Sequence, residues 1–242
     1  MRFQYPLRIL FLALLCAPTL ATANSSIFLA SGTLSDNTRI SKIPKMLKQG
    51  IHEALTTPYH FRMTITDSLV GMHVLSWGKI DLEERDGEVT AQIHPIPGVI
   101  VTAQSITIGN KTWYRLTPPG GTFQKDALPI QIPKVINWQE IEPYLQDIQK
   151  APKTMINGRP SIGYDFILDQ EGIRELIRYG GDMQIGTVES AQGTIWVDVN
   201  GVHYIRKIVL IERMSKDGYP YKLNENIEYG KWGKMFDLIP PQ

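Results

Sequence analysis

The stretch that decides the fold is residues 194–231, which read TIWVDVNGVHYIRKIVLIERMSKDGYPYKLNENIEYGK. It contains two consecutive hairpin signals. Three runs of this stretch alternate between apolar and polar residues, which predicts strands with one buried face. Asn200-Gly201 separates the first run from the second, and Asp217-Gly218 separates the second from the third. Both dipeptides favour the tight turns that join antiparallel strands. The C-terminal third is therefore predicted to be a three-stranded meander.

The same two-residue period continues through most of the chain upstream. It predicts strands over 59–66, 88–94, 100–108, 111–116 and 162–168. Between the first two of these, the same period continues at Val70, Met72, Val74, Ile80 and Leu82. Asp86-Gly87 and Gly109-Asn110 are predicted as hairpin turns between these strands. A proline-rich loop is predicted from Pro118 to about Asn137. These strands together predict a large antiparallel sheet.

Helical spacing of apolar residues appears in three places. The first helix is predicted to open at 41–44, with Pro44 in its first turn, and to stop at Pro58. A second helix is predicted over 138–150, with Ile141, Tyr144, Leu145 and Ile148 on one side. Asp169 is predicted to cap a third, short helix over 170–179. The fold class is α+β: a curved antiparallel sheet with two or three helices.

The N-terminus has the features of a secretory signal peptide. Arg2 and Arg8 precede an apolar run over 9–16, and the stretch ends in Ala21-Thr22-Ala23. The apolar stretch is too short to span a bilayer, which takes about 20 residues. We therefore predict a signal peptide over 1–23, a leader or edge strand over 24–40 and one domain over 41–242. The protein is expected on the periplasmic or extracellular side of a bacterial envelope.

The cysteine at position 16 is the sole one in the sequence. Acylation of a bacterial lipoprotein needs a small residue before the cysteine, but Leu15 stands there. We therefore expect no lipid anchor. A lone cysteine also excludes a disulfide framework and a cysteine-based zinc cluster.

Composition and motifs give no sign of an enzyme. Lys and Arg total 25 against 24 Asp and Glu, so no basic surface for nucleic acid is indicated. The sequence has no nucleophile elbow, phosphate loop, zinc-protease motif or dinucleotide-binding glycine pattern. The acidic residues over 83–88 are explained by an exposed hairpin tip, and Glu140, Glu142 and Asp147 by the surface of a helix. We expect no catalytic residue and no cofactor.

The five histidines are scattered along the chain. His60 and His94 fall on the strand face opposite Phe61 and Ile93, so both are predicted to face solvent. No two histidines are close enough in sequence for a local metal site, although a site assembled across strands is left open by the sequence. No metal is expected.

Three segments carry a resemblance to a known family. They are residues 193–199 (GTIWVDV), residues 205–211 (IRKIVLI) and the ending over 227–241 (IEYGKWGKMFDLIPP). Together with the order of elements, they resemble the LppX/LprG family of exported lipid-carrying proteins in the LolA-like superfamily. The resemblance covers residues 43–241 and rests on structural motifs.

The resemblance implies a half-barrel of antiparallel strands, with helices covering the concave face over an apolar cavity. The implied function is that of an exported carrier that binds acyl chains of lipids or lipoproteins and moves them in the cell envelope. The alternative is an envelope sensor or regulatory module of the same fold that binds a protein partner. The expected partners are a lipid or acylated ligand, and a membrane surface or an envelope protein; the chain is expected to be a monomer.

Candidate lipid-binding residues follow from the apolar faces of the first helix and of three strands. They are Met46, Leu47, Ile51, Leu55, Phe61, Met63, Met72, Val74, Ile195 and Val197. Methionine suits a pocket that adapts to different acyl chains. The competing interpretation is that all ten are ordinary core residues.

Overall fold

The computed structural model describes residues 43–69, 71–94, 98, 100–117, 123–125, 138–180 and 186–241. The predicted signal peptide and leader lie outside the described residues, as do Val70 and most of the predicted loop over 118–137. The export of the chain and its domain boundaries therefore stay predictions.

One antiparallel sheet forms the framework of the fold. Its strands are β1 (Tyr59–Asp67), β2 (His73–Asp81), β3 (Asp86–His94), β4 (Val101–Ile108), β5 (Lys111–Thr117), β6 (Gln124–Lys125), β7 (Leu145–Ile156), β8 (Arg159–Leu168), β9 (Thr187–Asp198), β10 (Ile205–Lys216) and β11 (Tyr219–Gly230). They lie in the order β6-β5-β4-β3-β2-β1-β11-β10-β9-β8-β7. Two meanders therefore meet where β1 pairs with β11. The sheet is curved and open, which confirms the predicted fold class.

The helices are α1 (Lys45–Thr56), α2 (Trp138–Ile141), which continues into a 3₁₀ turn (Glu142–Tyr144), and α3 (Gln170–Gly180). Asp169 caps α3 as predicted, because its Oδ1 accepts a hydrogen bond of 2.8 Å from the N–H of Gly172. Helix α1 packs on β9 and β10, and α3 packs on β8 and β9.

Positive φ angles identify the tight turns. Asp217 and Gly218 have φ of 52° and 80°, which fits the two-residue turn predicted between β10 and β11. Asn157 and Gly158 have φ of 48° and 75° and join β7 to β8 in the same way. At Asn200-Gly201 only the glycine has a positive φ, and the chain there makes a wider loop between β9 and β10.

The predicted hairpin turn at Asp86-Gly87 is wrong, because both residues belong to β3. The turn lies immediately before them, where Arg85 takes a positive φ of 63°. The carboxylate of Asp81 stabilises it by accepting a hydrogen bond of 3.1 Å from the N–H of Glu84. The local side-chain cap thus places the turn earlier than the Asp-Gly dipeptide suggested.

The predicted helix over 138–150 is also wrong after its first turn. Pro143 lies in the 3₁₀ turn, and from Leu145 the chain pairs with β8 as the edge strand β7. Asp147 has a φ of 50°, next to a break in the β7–β8 register. Pairing with β8 overrides the helical spacing of Ile141, Tyr144, Leu145 and Ile148, which is an example of tertiary context prevailing over local pattern.

Gly50 sets how closely α1 approaches the sheet. A Cβ atom at this position would lie 2.8 Å from the carbonyl oxygen of His203 and 2.8 Å from Cγ1 of Val197. Real Cβ atoms do not approach backbone oxygens so closely, so only glycine fits. The glycine that weakens the isolated helix therefore permits its packing on β9.

Gly50→Ala is expected to destabilise the protein although alanine is the better helix former. Helix propensity favours alanine by about 1 kcal/mol, but the overpacking against His203 and Val197 is expected to cost about 1–3 kcal/mol. The matched control is His52→Ala, since His52 is exposed on the same helix. Urea denaturation of both variants checks this, and a Gly50→Ala protein more stable than the wild type would contradict it.

Candidate functional site

The inner face of the sheet carries a continuous apolar surface. Alternate residues of β1, β3, β8, β9, β10 and β11 point to this face and are buried, and the buried residues of the helices join them in one cluster. Cross-strand rows connect the strands: Met63 pairs with Ile227, which pairs with Ile208, which pairs with Ile195. The inner face thus forms a wide apolar trough across the curved sheet.

Nine of the ten residues predicted from sequence lie in or beside this trough. Eight of them belong to the buried cluster: Leu47, Ile51, Phe61, Met63, Met72, Val74, Ile195 and Val197. Met46 is partly buried and packs against the cluster, and Leu55 is half-buried. The structure brings Met63 and Ile195 into one cross-strand row.

The structure divides these residues by what packs against them. Val197 lies under α1, and the helices pack chiefly on β8, β9 and β10. Phe61, Met63 and Val74 lie on β1 and β2, beyond the strands on which the helices are centred. The apolar inner face therefore extends further than the three helices.

A patch of small side chains lies on the inner face beyond β1, and we call it the small-residue patch. Its members are Ser76, Ala91, Ala103 and Ser105 on β2, β3 and β4. Ser76 pairs with Ala91 and Ala91 with Ala103, so three of the four form one row continuing from Met63. All four are buried. These four side chains themselves fill little volume above the strand backbone.

Phe61 borders the small-residue patch. Its ring lies over Gly78, where an added Cβ would be 3.0 Å from Cε1 of the ring. The hydroxyl of Ser76 donates to the carbonyl oxygen of Thr90 at 3.2 Å, whereas the buried hydroxyl of Ser105 has no hydrogen-bond partner among the described residues. The patch is thus mainly apolar, with one unpartnered hydroxyl.

Four polar residues interrupt the inner face near the β10–β11 turn, and we call them the carboxyl cluster: Asp67, Glu212, Tyr221 and Glu225. Asp67 and Glu212 both pair with Leu223, from β1 and β10, so they flank it in one row. On β11, Tyr221 and Glu225 are the inward positions immediately before and after Leu223. Glu225 pairs with the buried residues Ile65 and Leu210.

Burial shifts the titration of this cluster. It raises the pKa of Glu212 to about 8, with the charge of Glu225 as the second cause, and it raises the pKa of Glu225 to about 7. Burial also raises the pKa of Tyr221 to about 12, followed by the charges of Asp67 and Glu212. At neutral pH Glu212 and Glu225 therefore share protons, although both carboxyls would be fully ionised in water.

Sequence reasoning missed the carboxyl cluster, although a signal was present. Glu212 follows Ile208 and Leu210 at the two-residue period of β10 and precedes Met214, so it occupies an apolar phase of the strand. Glu225 stands in the same way before Ile227 and Tyr229 on β11. A carboxylate at an inward position is rare enough to be read as a candidate site.

Aromatic rings line the opposite end of the trough. Trp232 stacks on Tyr204 with ring centroids 4.8 Å apart, and it also contacts Tyr59 and Tyr229. The N–H of Gly233 donates to the carbonyl oxygen of Pro58 at 2.9 Å, which ties the segment after β11 to the start of β1. The trough thus has an aromatic end and a carboxylate end.

The histidines lie outside the trough. His73 and His94 are cross-strand partners on the outer face, with ring centroids 5.7 Å apart. Among the described residues, no group of three or more His, Cys, Asp or Glu side chains is arranged to hold a metal ion. Burial, followed by Lys231, Lys79 and Lys234, lowers the pKa of His60, whose outward ring packs near Phe236.

Comparison with known proteins supports the fold. No family model matches the chain, and no curated protein matches it in sequence. The crystal structure of LprF from Mycobacterium bovis superposes with a TM-score of 0.52 at 13% identity, over 81% of this chain and 95% of LprF. This chain therefore shares the fold of LprF, which supports at the level of fold the resemblance noted from the sequence.

Two further structures match with lower scores. Lipoprotein LppX from Mycobacterium tuberculosis gives a TM-score of 0.39 at 9% identity, over 79% of this chain and 95% of LppX. A MucA/MucB complex from Pseudomonas aeruginosa gives a TM-score of 0.30 at 8% identity, over 77% of this chain and 93% of the matched chain.

Within the described part of the molecule, no helix is long and apolar enough to cross a membrane.

Proposed function

We propose that this protein is an exported carrier that binds the acyl chains of a lipid or lipoprotein on the inner face of its half-barrel and moves them within the cell envelope. The observation that carries the proposal is an apolar inner face that extends beyond the helices onto the small-residue patch. Each buried CH₂ group contributes about 0.8 kcal/mol, so an acyl chain laid along this face would bind tightly.

The proposed carrier works by exchange of apolar surface and needs no bond chemistry. An acyl chain would lie over Ala91 and Ala103, flanked by Phe61 and Met63. It would pack on this part of the sheet as the helix side chains pack on β8, β9 and β10. Methionine and small residues adapt to chains of different length and branching. The proposal includes no enzymatic activity and no cofactor.

The alternative, an envelope sensor that binds a protein partner, would use an exposed edge of the sheet most simply. Strand β7 is such an edge, but its pairing with β8 is broken at two places, and it carries Lys150, Pro152 and Lys153. Bulges, lysines and prolines are the features that discourage the addition of another strand. They disfavour this mode of protein binding at β7.

Lipid extraction and native mass spectrometry test the proposed function. The full-length chain is expressed in a bacterial host that exports it, and the secreted or periplasmic protein is purified without detergent. We expect a mass increase that organic extraction removes and that yields acyl lipid. A protein that stays ligand-free after incubation with a total envelope lipid extract would overturn the carrier proposal in favour of a protein-binding module.

A further inference from the structure

The carboxyl cluster has no ion-pair partner among the described residues. No ion pair in that part of the structure involves Asp67, Glu212 or Glu225. The nearest basic residues along β10 and β11, Arg213 and Lys222, pair with each other and point to the outer face. Lys216 has the inward phase of Glu212 but lies four residues further along β10, opposite Tyr219. Three acidic side chains thus share an apolar setting without an ion pair, and of the three Asp67 accepts a hydrogen bond of 2.5 Å from the N–H of Leu69.

Burial makes this arrangement unusual. Asp67 is 4% exposed and Glu212 is 7% exposed, while Glu225 is partly buried between Ile65 and Leu210. A buried carboxylate without a cation is costly, and carboxyl groups close together raise that cost further. The opposite position on β9 is Ala191, so that strand brings no compensating charge.

The hydroxyl of Tyr221 supplies a second, independent observation. Tyr221 is 6% exposed, and its Oη has no hydrogen-bond partner among the described residues. Burial, followed by the charges of Asp67 and Glu212, raises its pKa, and no hydrogen bond joins the hydroxyl to either carboxylate. Buried hydroxyls are normally satisfied, so the Tyr221 hydroxyl can take a hydrogen bond from a polar group of a ligand.

From this geometry we infer that the carboxyl cluster binds the ammonium group of a cationic amphiphile whose acyl or alkyl chain lies along the inner face. The inference rests on the proposed function for the position of the chain. A primary ammonium group has three N–H donors, which suffice for Glu212, Glu225 and the Tyr221 oxygen, and its positive charge offsets the charge of the carboxylates. A phosphate or free carboxylate would meet like charges at the same place.

Exposed apolar residues surround this end of the half-barrel and give an amphiphile a surface to cross. Leu69 follows β1, Ile100 precedes β4 and Tyr219 opens β11, and all three are exposed. Ser68 connects two of these segments, because its hydroxyl accepts a hydrogen bond of 2.8 Å from the N–H of Lys222. A ligand that enters here would bring its polar end to rest at the carboxyl cluster.

Ammonium binding is expected to depend on pH. The groups that face the site are Asp67 from β1, Glu212 from β10, and Tyr221 and Glu225 from β11. Lys216 has the same phase as Glu212 at the end of β10, and the facing positions on β9 and β2 are Ala191 and Val74. A cation favours the ionised carboxyls, so the affinity for an alkylamine should rise between about pH 6 and pH 8. An alkyl alcohol carries no charge, and its affinity should stay nearly constant.

Decylamine and decanol test the inference, since they share one chain and differ in the polar end. Isothermal titration at pH 7.5 is expected to give at least about tenfold tighter binding for decylamine. The double variant Glu212→Gln/Glu225→Gln should lose this preference and still bind decanol. Glu228→Gln is the matched control, because Glu228 lies on the outer face of β11 and pairs there with Lys207 and Arg62; it should keep the preference.

The outcomes separate this inference from the proposed function. Equal binding of the two probes by the wild type, or a preference that survives in the double variant, would overturn the ammonium site and leave the carrier standing. Failure of both probes to bind would count against the carrier and the ammonium site together. A cluster occupied by water alone would show equal binding of amine and alcohol.

Discussion

Ala91→Trp is expected to abolish the binding of acyl lipid while the protein stays folded. Ala91 is at the centre of the row that continues from Met63 through Ser76 to Ala103, and all four side chains are buried on the inner face. An indole at this position would occupy the space that the proposal gives to the acyl chain. Native mass spectrometry of the variant, purified without detergent, should show the ligand-free mass.

The control for this variant is Gln92→Trp, which places the same indole one residue further along β3 and on the outer face. It should copurify with as much lipid as the wild type. Circular dichroism and the unfolding midpoint show whether Ala91→Trp is folded. If it is unfolded, Ala103→Leu is the milder filling variant. A folded, filled variant that retains full lipid occupancy would contradict the placement of the chain on the small-residue patch.

Stability is expected to decrease as the pH rises from about 5 to about 8. The pKa of Glu212 is raised to about 8 in the folded protein from 4.5, the ordinary value, and that of Glu225 to about 7. The folded state therefore binds more protons than the unfolded state in this interval, and the stabilisation present below pH 4.5 is lost as the pH rises. For Glu212 the expected loss is about 2–4 kcal/mol.

The variant Glu212→Gln isolates this effect. It keeps the shape of the side chain but cannot ionise, so its unfolding free energy should depend less on pH and should exceed that of the wild type at pH 8.5. At pH 5 the two proteins should be similar. Glu228→Gln on the outer face should follow the wild type. Parallel pH profiles for wild type and Glu212→Gln in urea denaturation would show that burial of Glu212 does not govern the pH dependence.

Local sequence patterns predicted the strands well because the sheet is antiparallel with one buried face. Period two over 59–66 and 203–214 predicts β1 and β10, and Asp217-Gly218 predicts the turn into β11. Strand β9 is longer than predicted, starting at Thr187. The part that was not predicted, 187–193, ends in Gly193. An added Cβ there would lie 2.9 Å from the ring of Phe166, so tertiary packing explains a residue with low strand propensity.

The helix predicted over 138–150 shows where local pattern fails. Apolar residues near the start of β7 satisfy helical spacing, and only its pairing with β8 and the Asn157-Gly158 turn reveals a strand. The candidate site was predicted in the same partial way. Phe61, Met63 and Val74 follow from alternation, whereas the small-residue patch depends on a cross-strand register that no single strand contains.

The most direct test of the central claim is photocrosslinking with a fatty acid that carries a diazirine on its alkyl chain. The purified protein is illuminated with the probe, digested, and the modified residues are located by mass spectrometry. We predict adducts on inner-face residues of β1 to β4, such as Met63 and Val74, and their loss in a folded Ala91→Trp variant. Adducts confined to outer-face positions, or equal labelling of wild type and variant, would contradict the binding of acyl chains on the inner face.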